Sequence, residues 1–567
     1  MSARPAPRVR RGFVNTPQGQ VHYRVAGHGP PAVLVPDPPR SSRAFGELLA
    51  ALGEDFTVLA FDLPGYGNST PLQGSAQPEV ADFAKALGDA LAALGLERTA
   101  LYGFHGGSRI ALELAVRQPA RASITLLEGL AMPLGPPDKE FLQRFLWPFE
   151  LSDDGSHLAR EWTRVRDLHR FFPWFARSER ARLPEELPDE KQLHSYVLDL
   201  FSAGPHYASA YAAVMRYQAQ QVLPRASSPL VVMCREDDFL YRYLDALPEN
   251  LPAQVRVERL TADREAWRHR LRDLIRDASE GSTATFTLPD PLSGAASKQE
   301  VRGYLNLAHG QVHVRRSGAG NKRPVMLLHE TPGSSASLRP LAQELSRDRQ
   351  VIAIDLPGLG ESDPLPNPDA DSHRELLIAI LDALGLISVD LIAEFTATPF
   401  AVDLARKASN RVHRLALDGV FQLTASERRS LWKSYCPGLR PSWDGGHLHS
   451  MWHRLRDQEL SWPWYDRSKS AVRRREPDLA PERLHALMLD VLKQLDHYGE
   501  ACLAAVDYPV KDVLEEVRQP VLLLNAPEDV RYQWTRKIAR RLADTETVVR
   551  ANAVADRARQ YAAFFDR

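Results

Sequence analysis

The chain contains two copies of one sequence. GFVNTPQGQVHYR from Gly12 returns as GYLNLAHGQVHVR from Gly303, an offset of 291 residues. FDLPGYGNS from Phe61 returns as IDLPGLGES from Ile354, and PLVVMCREDDFLY from Pro229 returns as PVLLLNAPEDVRY from Pro520. Between them, ALGLERTALYGFHGGSRIALELA from Ala93 matches ALGLISVDLIAEFTATPFAVDLA from Ala383. The offset stays between 290 and 293 throughout, so the chain is a tandem duplication, with a period far too long for a solenoid. The reading places a first domain over 1–277, a connection over 278–299 rich in Gly, Ser, Thr and Pro, and a second domain over 300–567.

Each copy alternates short β-branched runs with amphipathic helical stretches such as FAKALGDALAALG. That alternation predicts an α/β fold: a mostly parallel sheet covered on both faces by helices. Each copy also carries a long helical insert rich in Trp, Tyr and Arg, at about 131–225 and 421–514, which reads as a cap. With 44% hydrophobic and 25% charged residues and a formal net charge of -1, the chain offers no electrostatic case for a nucleic-acid or membrane partner. The basic N-terminus is followed by no apolar core, and no apolar run of bilayer length occurs, so a cytoplasmic protein is expected. Three dispersed cysteines build neither a disulfide framework nor a zinc site, and no His/Cys spacing suggests a metal. Phosphate-cradling glycine loops are absent as well, so no cofactor is called for.

HETPGSS from His329, the paired DLPGxGxS segments, the strand–turn–helix junctions YGFHGG and AEFTA, and the late Asp loops resemble the α/β-hydrolase superfamily. The likeness is to its capped branch, which includes epoxide hydrolases and haloalkane dehalogenases, and it covers both halves. It implies two tandem α/β-hydrolase domains, each with a helical cap inserted after the sixth strand. It also implies a nucleophile on the junction, or elbow, a histidine base, an orienting acid and two backbone N–H donors for an oxyanion. In the first copy His105 holds the nucleophile position and Asp238 the acid position. No histidine follows the last strand, and Pro38 removes one oxyanion donor, leaving the N–H of Gly106. In the second copy Phe395 holds the nucleophile position, Asp529 keeps the acid, and Thr331 and Thr396 are expected to supply both N–H donors. Both triads are therefore degenerate.

On the elbow, His105 should reach the space left by the missing loop histidine and pair with Asp238, forming a general base for lyase, isomerase, cyclase or atypical hydrolase chemistry on a small, largely apolar molecule. The second domain is then non-catalytic or ligand-binding. The alternatives are a pseudo-enzyme that binds or scaffolds, and hydrolysis by a relocated constellation. Around the elbows, Asp37, Phe104 and Gly106 in the first copy, and His329, Glu330, Phe395 and Asp529 in the second, are substrate-contact candidates. Glu330, Glu394 and Asp529 could converge, with Glu394 expected to turn away.

The caps share DGSHLAREWTRVRD and DGGHLHSMWHRLRD. His157, Trp162 and Tyr207, with their counterparts His447, Trp452 and Tyr498, are further ligand candidates, together with Arg166 and Arg456; packing and capping explain the same pattern. The two domains are expected to pack on each other, and a homo-oligomer is compatible with the sequence.

Overall fold

The protein is described here from a computed structural model, covering residues 7–133, 135–184, 186–279, 288–294, 297–542 and 545–567. Positions 280–287 and 295–296 of the expected connection lie outside the described residues. The chain divides into two compact units, 1–150 with 159–290, and 151–158 with 291–567. No helix among the described residues is long and apolar enough to cross a membrane.

In the first unit the strands are β1 (Arg10–Thr16), β2 (Gly19–Ala26), β3 (Pro31–Val35), β4 (Thr57–Phe61), β5 (Thr99–Phe104), β6 (Ala122–Glu128), β7 (Leu230–Arg235) and β8 (Val255–Leu260). They form one sheet in the order β1-β2-β4-β3-β5-β6-β7-β8. The β1–β2 and β2–β4 pairs are antiparallel, and β4, β3 and β5 to β8 pair in parallel. In the second unit β9 (Val301–Asn306), β10 (Gln311–Ser317), β11 (Lys322–Leu328), β12 (Arg349–Ile354), β13 (Val389–Glu394), β14 (Val412–Asp418), β15 (Val521–Asn525) and β16 (Thr545–Val549) repeat that order. The central strands are continuous apolar runs, such as AVLV at Ala32–Val35, because helices cover both faces and leave no side for water. Each cap leaves the sheet after the sixth strand, β6 or β14, and returns at β7 or β15, as the sequence predicts.

The repeated DLPGxGxS segments close a buried knot in each sheet. Asp62 Oδ2 lies 2.8 Å from His22 Nδ1 and accepts the Asn68 N–H at 2.9 Å, while Oδ1 accepts the Ser42 N–H at 2.7 Å. Ser69 Oγ donates to the Asp62 carbonyl at 2.8 Å and accepts the His22 N–H at 2.9 Å. Gly67 has φ +51°, and a Cβ there would lie 2.1 Å from the carboxylate, so the turn tolerates only glycine. The second copy repeats the knot with His313, Ser335, Glu361, Ser362 and Gly360 around Asp355. Burial opposes the charge on Asp62, but His22 and the N–H donors outweigh it and hold the carboxyl at about 2.

The first cap is bolted to its core by buried polar bonds. Tyr66, from DLPGY, donates to the Tyr207 carbonyl at 2.8 Å and accepts the Ala210 N–H at 2.9 Å. Asp199 of the cap accepts from Ser41 Oγ at 2.6 Å and from Arg40 Nε at 2.8 Å.

Replacing Asp62 or Asp355 by Asn should cost about 3 to 5 kcal/mol, because donors stay buried without their anion. Urea unfolding at pH 7 measures this loss. Because the folded carboxyl of Asp62 is depressed, the difference between D62N and the parent should shrink as pH falls from about 4 toward 2.

Candidate functional site

Residue 105 sits where β5 turns into the helix Gly106–Arg117. A Cβ at Gly107 would lie 2.2 Å from the Val35 carbonyl, and one at Gly103 would lie 2.5 Å from the Gly107 carbonyl. The two glycines let strand and helix close this tightly, and the turn forces His105 to φ 48°, ψ -112°. His105 and Phe395, at φ 48° and 38°, are the two non-glycine residues with positive φ among the described residues. Such backbone costs on the order of 1 to 3 kcal/mol and persists where surrounding packing over-determines it. Both copies have kept the elbow.

His105 Nε2 lies 2.7 Å from Asp238 Oδ2, so the pairing expected from the sequence is formed. Asp238 comes from the loop after β7, where its Oδ1 accepts the Leu240 N–H at 2.9 Å. The imidazole stacks on Phe104 with ring centroids 4.0 Å apart and meets the edge of Phe239 at 5.7 Å. Its side chain stays 17% exposed against 5% for Asp238, so the imidazole is reachable and its partner is not. Burial penalises the imidazolium, but Asp238, Asp37 and Glu128 outweigh it and raise the pKa above the ordinary value. Burial likewise opposes the charge on Asp238, and the His105 bond holds its carboxyl low.

The Gly106 N–H, the oxyanion donor that survives in the first copy, donates to Asp37 Oδ1 at 2.8 Å. Burial pushes the Asp37 carboxyl up, with His105 and this bond opposing. Asp37, a substrate-contact candidate by sequence, thus stands where a substrate oxygen would be held.

The second elbow is filled differently. The Phe395 ring meets Phe421 at 5.2 Å and Trp462 at 5.3 Å, and the Arg531 guanidinium lies 4.4 Å from its centroid. Arg531 pairs with Asp529 through Nε at 2.6 Å and through Nη2, taking the place that an imidazole would hold. Although burial opposes it, Arg531 keeps the Asp529 carboxyl at about 2. The Thr331 N–H donates to Thr396 Oγ1 at 2.7 Å, so one of the two expected oxyanion donors is taken by a side chain. His329 is consumed structurally, with Nδ1 2.9 Å from the Glu330 carbonyl and Nε2 accepting the Leu356 N–H at 2.9 Å. It therefore has no ring nitrogen left for a ligand.

A cavity of about 310 Å³ opens beside Phe395. Glu330 and Glu394 line it, so Glu394 faces the cavity instead of turning away, and Asp529 is held aside by Arg531. Burial, then Asp418 and Glu330, push the Glu394 carboxyl up to about 7.

The six shared cap candidates are all buried. Trp162 and Trp452 are among the largest fully buried side chains. Tyr207 donates to the Trp147 carbonyl and accepts from Arg164 Nη1 at 2.7 Å, and Tyr498 donates to the Pro437 carbonyl. His157 Nδ1 lies 3.0 Å from Ser152 Oγ, and His447 Nδ1 accepts the Ser442 N–H at 3.2 Å. None of these six lines the cavity. In both R-x-R-D segments the buried arginine is the first, Arg164 or Arg454, and not Arg166 or Arg456. Sequence reasoning also missed Arg531: an arginine two residues after the acid gives no signal until the turn brings it onto Phe395.

A family model for the alpha/beta hydrolase fold matches residues 28–259 and 323–445. The chain belongs to the alpha/beta hydrolase fold family. It is 37% identical over 133 residues to the 2-hydroxy-6-oxo-2,4-heptadienoate hydrolase of Pseudomonas putida, covering 22% of this chain and 47% of that protein. It is 34% identical over 116 residues to the 2-hydroxymuconate semialdehyde hydrolase of Pseudomonas sp. CF600, covering 19% of this chain and 40% of that one. The chain thus spans less than half the length of these two relatives. The solved enol-lactonase from Burkholderia xenovorans LB400 aligns at 16% identity and TM-score 0.36, covering 46% of this chain and 96% of that one.

The Glu394 carboxyl predicts a pH-dependent penalty. A carboxyl raised to about 7 in the fold destabilises the native state above that pH and is harmless below its unfolded value. Glu394→Gln should therefore stabilise the protein by roughly 1 to 3 kcal/mol at pH 8 and by almost nothing at pH 4.5, read from paired denaturation curves.

Proposed function

We propose that the first domain is a cofactor-free acid/base enzyme acting on a small, largely apolar organic molecule. His105 is its base and Asp238 its orienting acid. The observation that carries this reading is the 2.7 Å His105–Asp238 contact at the tip of a strained, partly exposed elbow. With Nε2–H donated to Asp238, Nδ1 is the nitrogen left to take a proton from substrate or from water. Position 105 has no hydroxyl to form an ester, Pro38 donates no N–H, and Gly106 is engaged by Asp37, so a covalent acyl-enzyme is disfavoured. That leaves proton abstraction, as in a lyase, isomerase or cyclase, or direct activation of water in an atypical hydrolase. The hydrolase names of the curated relatives favour the last. With Phe395 on its elbow, the second domain lacks the imidazole on which this chemistry rests.

One observation favours a second reading, a protein that binds without turnover: side chains of the protein itself occupy an oxyanion donor in both copies, Asp37 on Gly106 and Thr396 on Thr331.

Purified full-length protein should be assayed against p-nitrophenyl esters, styrene oxide and a 2-hydroxy-6-oxo dienoate. Turnover should fall about 100-fold or more in H105A and less in D238N, while F395L leaves it unchanged. Activity should drop as pH falls through a value above 6.5, where His105 takes up a proton, and D238N should move that limb to lower pH. Undiminished turnover in H105A would sink the enzyme reading. Saturable binding with no turnover of any substrate would leave the second.

A further inference from the structure

The cavity beside Phe395 is charged where a hydrolase pocket is ordinarily apolar. Six arginines contribute to its wall: Arg473, Arg475, Arg483, Arg531, Arg550 and Arg557. Four are matched by carboxylates of the protein. Arg475 and Arg483 pair with Glu459, Arg531 with Asp529, and Arg550 with Asp418 at 2.6 Å. Arg473 and Arg557 have no carboxylate within ion-pair distance among the described residues. In each, the Nε–H is buried without an acceptor. Among the described residues the Arg473 guanidinium is held through Nη1, which donates to the Gln458 carbonyl at 2.6 Å. Burial, reinforced by Arg475, pushes its pKa down, as for a cation held without its counter-charge.

A guanidinium partly withdrawn from water with no anion beside it is costly, and a ligand that supplies the missing charge relieves that cost. Here one such group comes from the cap and the other from the C-terminal helix Val554–Phe565, and both line the same space. Trp462 and Phe395 add aromatic wall to it. The acids that line the cavity stand beside other arginines: Glu459 and Asp478 pair with Arg483, Asp418 with Arg550, and Glu330 lies 3.8 Å from Arg531, while Glu394, raised to about 7, is only partly charged at neutral pH. At about 310 Å³ the cavity lies at the small end of ligand pockets.

We propose that this cavity of the second domain binds a small organic anion, whose carboxylate or phosphate group is held between Arg473 and Arg557 and whose body lies toward Trp462 and Phe395. The site is separate from the His105–Asp238 pair and does not depend on the chemistry assigned there. It gives the second domain a binding role in a copy whose elbow has no reactive side chain.

Titration calorimetry on the full chain tests this with succinate, phenyl phosphate and inorganic phosphate at fixed ionic strength. Saturable binding of succinate or phenyl phosphate is expected, and the tighter of the two identifies the acidic group. Inorganic phosphate binding as tightly as phenyl phosphate would remove the aromatic wall from the proposal. R473Q and R557Q should each weaken binding about tenfold or more, because an arginine–anion contact is charge-assisted and forked. R429Q, an exposed arginine outside the cavity, should not. If circular dichroism shows R473Q to be unfolded, R557Q and the charge-keeping R473K carry the comparison. Absence of saturable binding by all three probes, or affinities unchanged in both cavity variants, would overturn the site.

Discussion

A side chain at a sharp strand-to-helix turn cannot choose its direction. The turn fixes φ in the left-handed region, and strand, helix and neighbouring loop leave one exit for the side chain. In the first copy this geometry aims an imidazole at a carboxylate. In the second it aims a phenyl ring at a cap tryptophan and under a guanidinium. The same backbone constraint therefore yields a polar pair in one half and an aromatic seat in the other. The second copy keeps it with Ala393 and Ala397 where the first has Gly103 and Gly107, so the junction is set by packing of the whole sheet and not by glycine alone.

What fills each oxyanion position follows from that constraint. A buried backbone N–H needs an acceptor, whether at a helix start, as at Gly106, or in the loop after a strand, as at Thr331. In the first copy Asp37 supplies it, and in the second the hydroxyl of Thr396 satisfies the N–H of Thr331. The two solutions differ because the loop after the third strand reads PDPP in one copy and HETP in the other.

The fold was legible in the sequence because it rests on repeated local patterns. Apolar strand runs, amphipathic helices and DLPGxGxS each carry their own cause, and the Asp62 and Asp355 knots show why that motif is present in both halves. The His105–Asp238 pair was also legible, since the fold fixes where the elbow and the acid loop meet. For the cap residues the sequence leaves packing and ligand contact undivided, because both select the same residue types. His157, Trp162, Tyr207 and their counterparts are buried, and none of them lines the cavity beside Phe395. The cavity arginines gave no signal at all. Arg473 and Arg557 are 84 positions apart, in segments without a shared motif, and only the folded chain brings them to one wall.

The ties between the first cap and its core bear on traffic into the elbow. Swinging that cap away would strip Tyr66 of two partners and Asp199 of two more, each buried bond contributing about 1 kcal/mol and each orphaned group costing further. Opening the cap therefore carries the cost of all four bonds. His105 lies between the rings of Phe104 and Phe239, so with the cap tied down those two rings bound the space against its exposed edge.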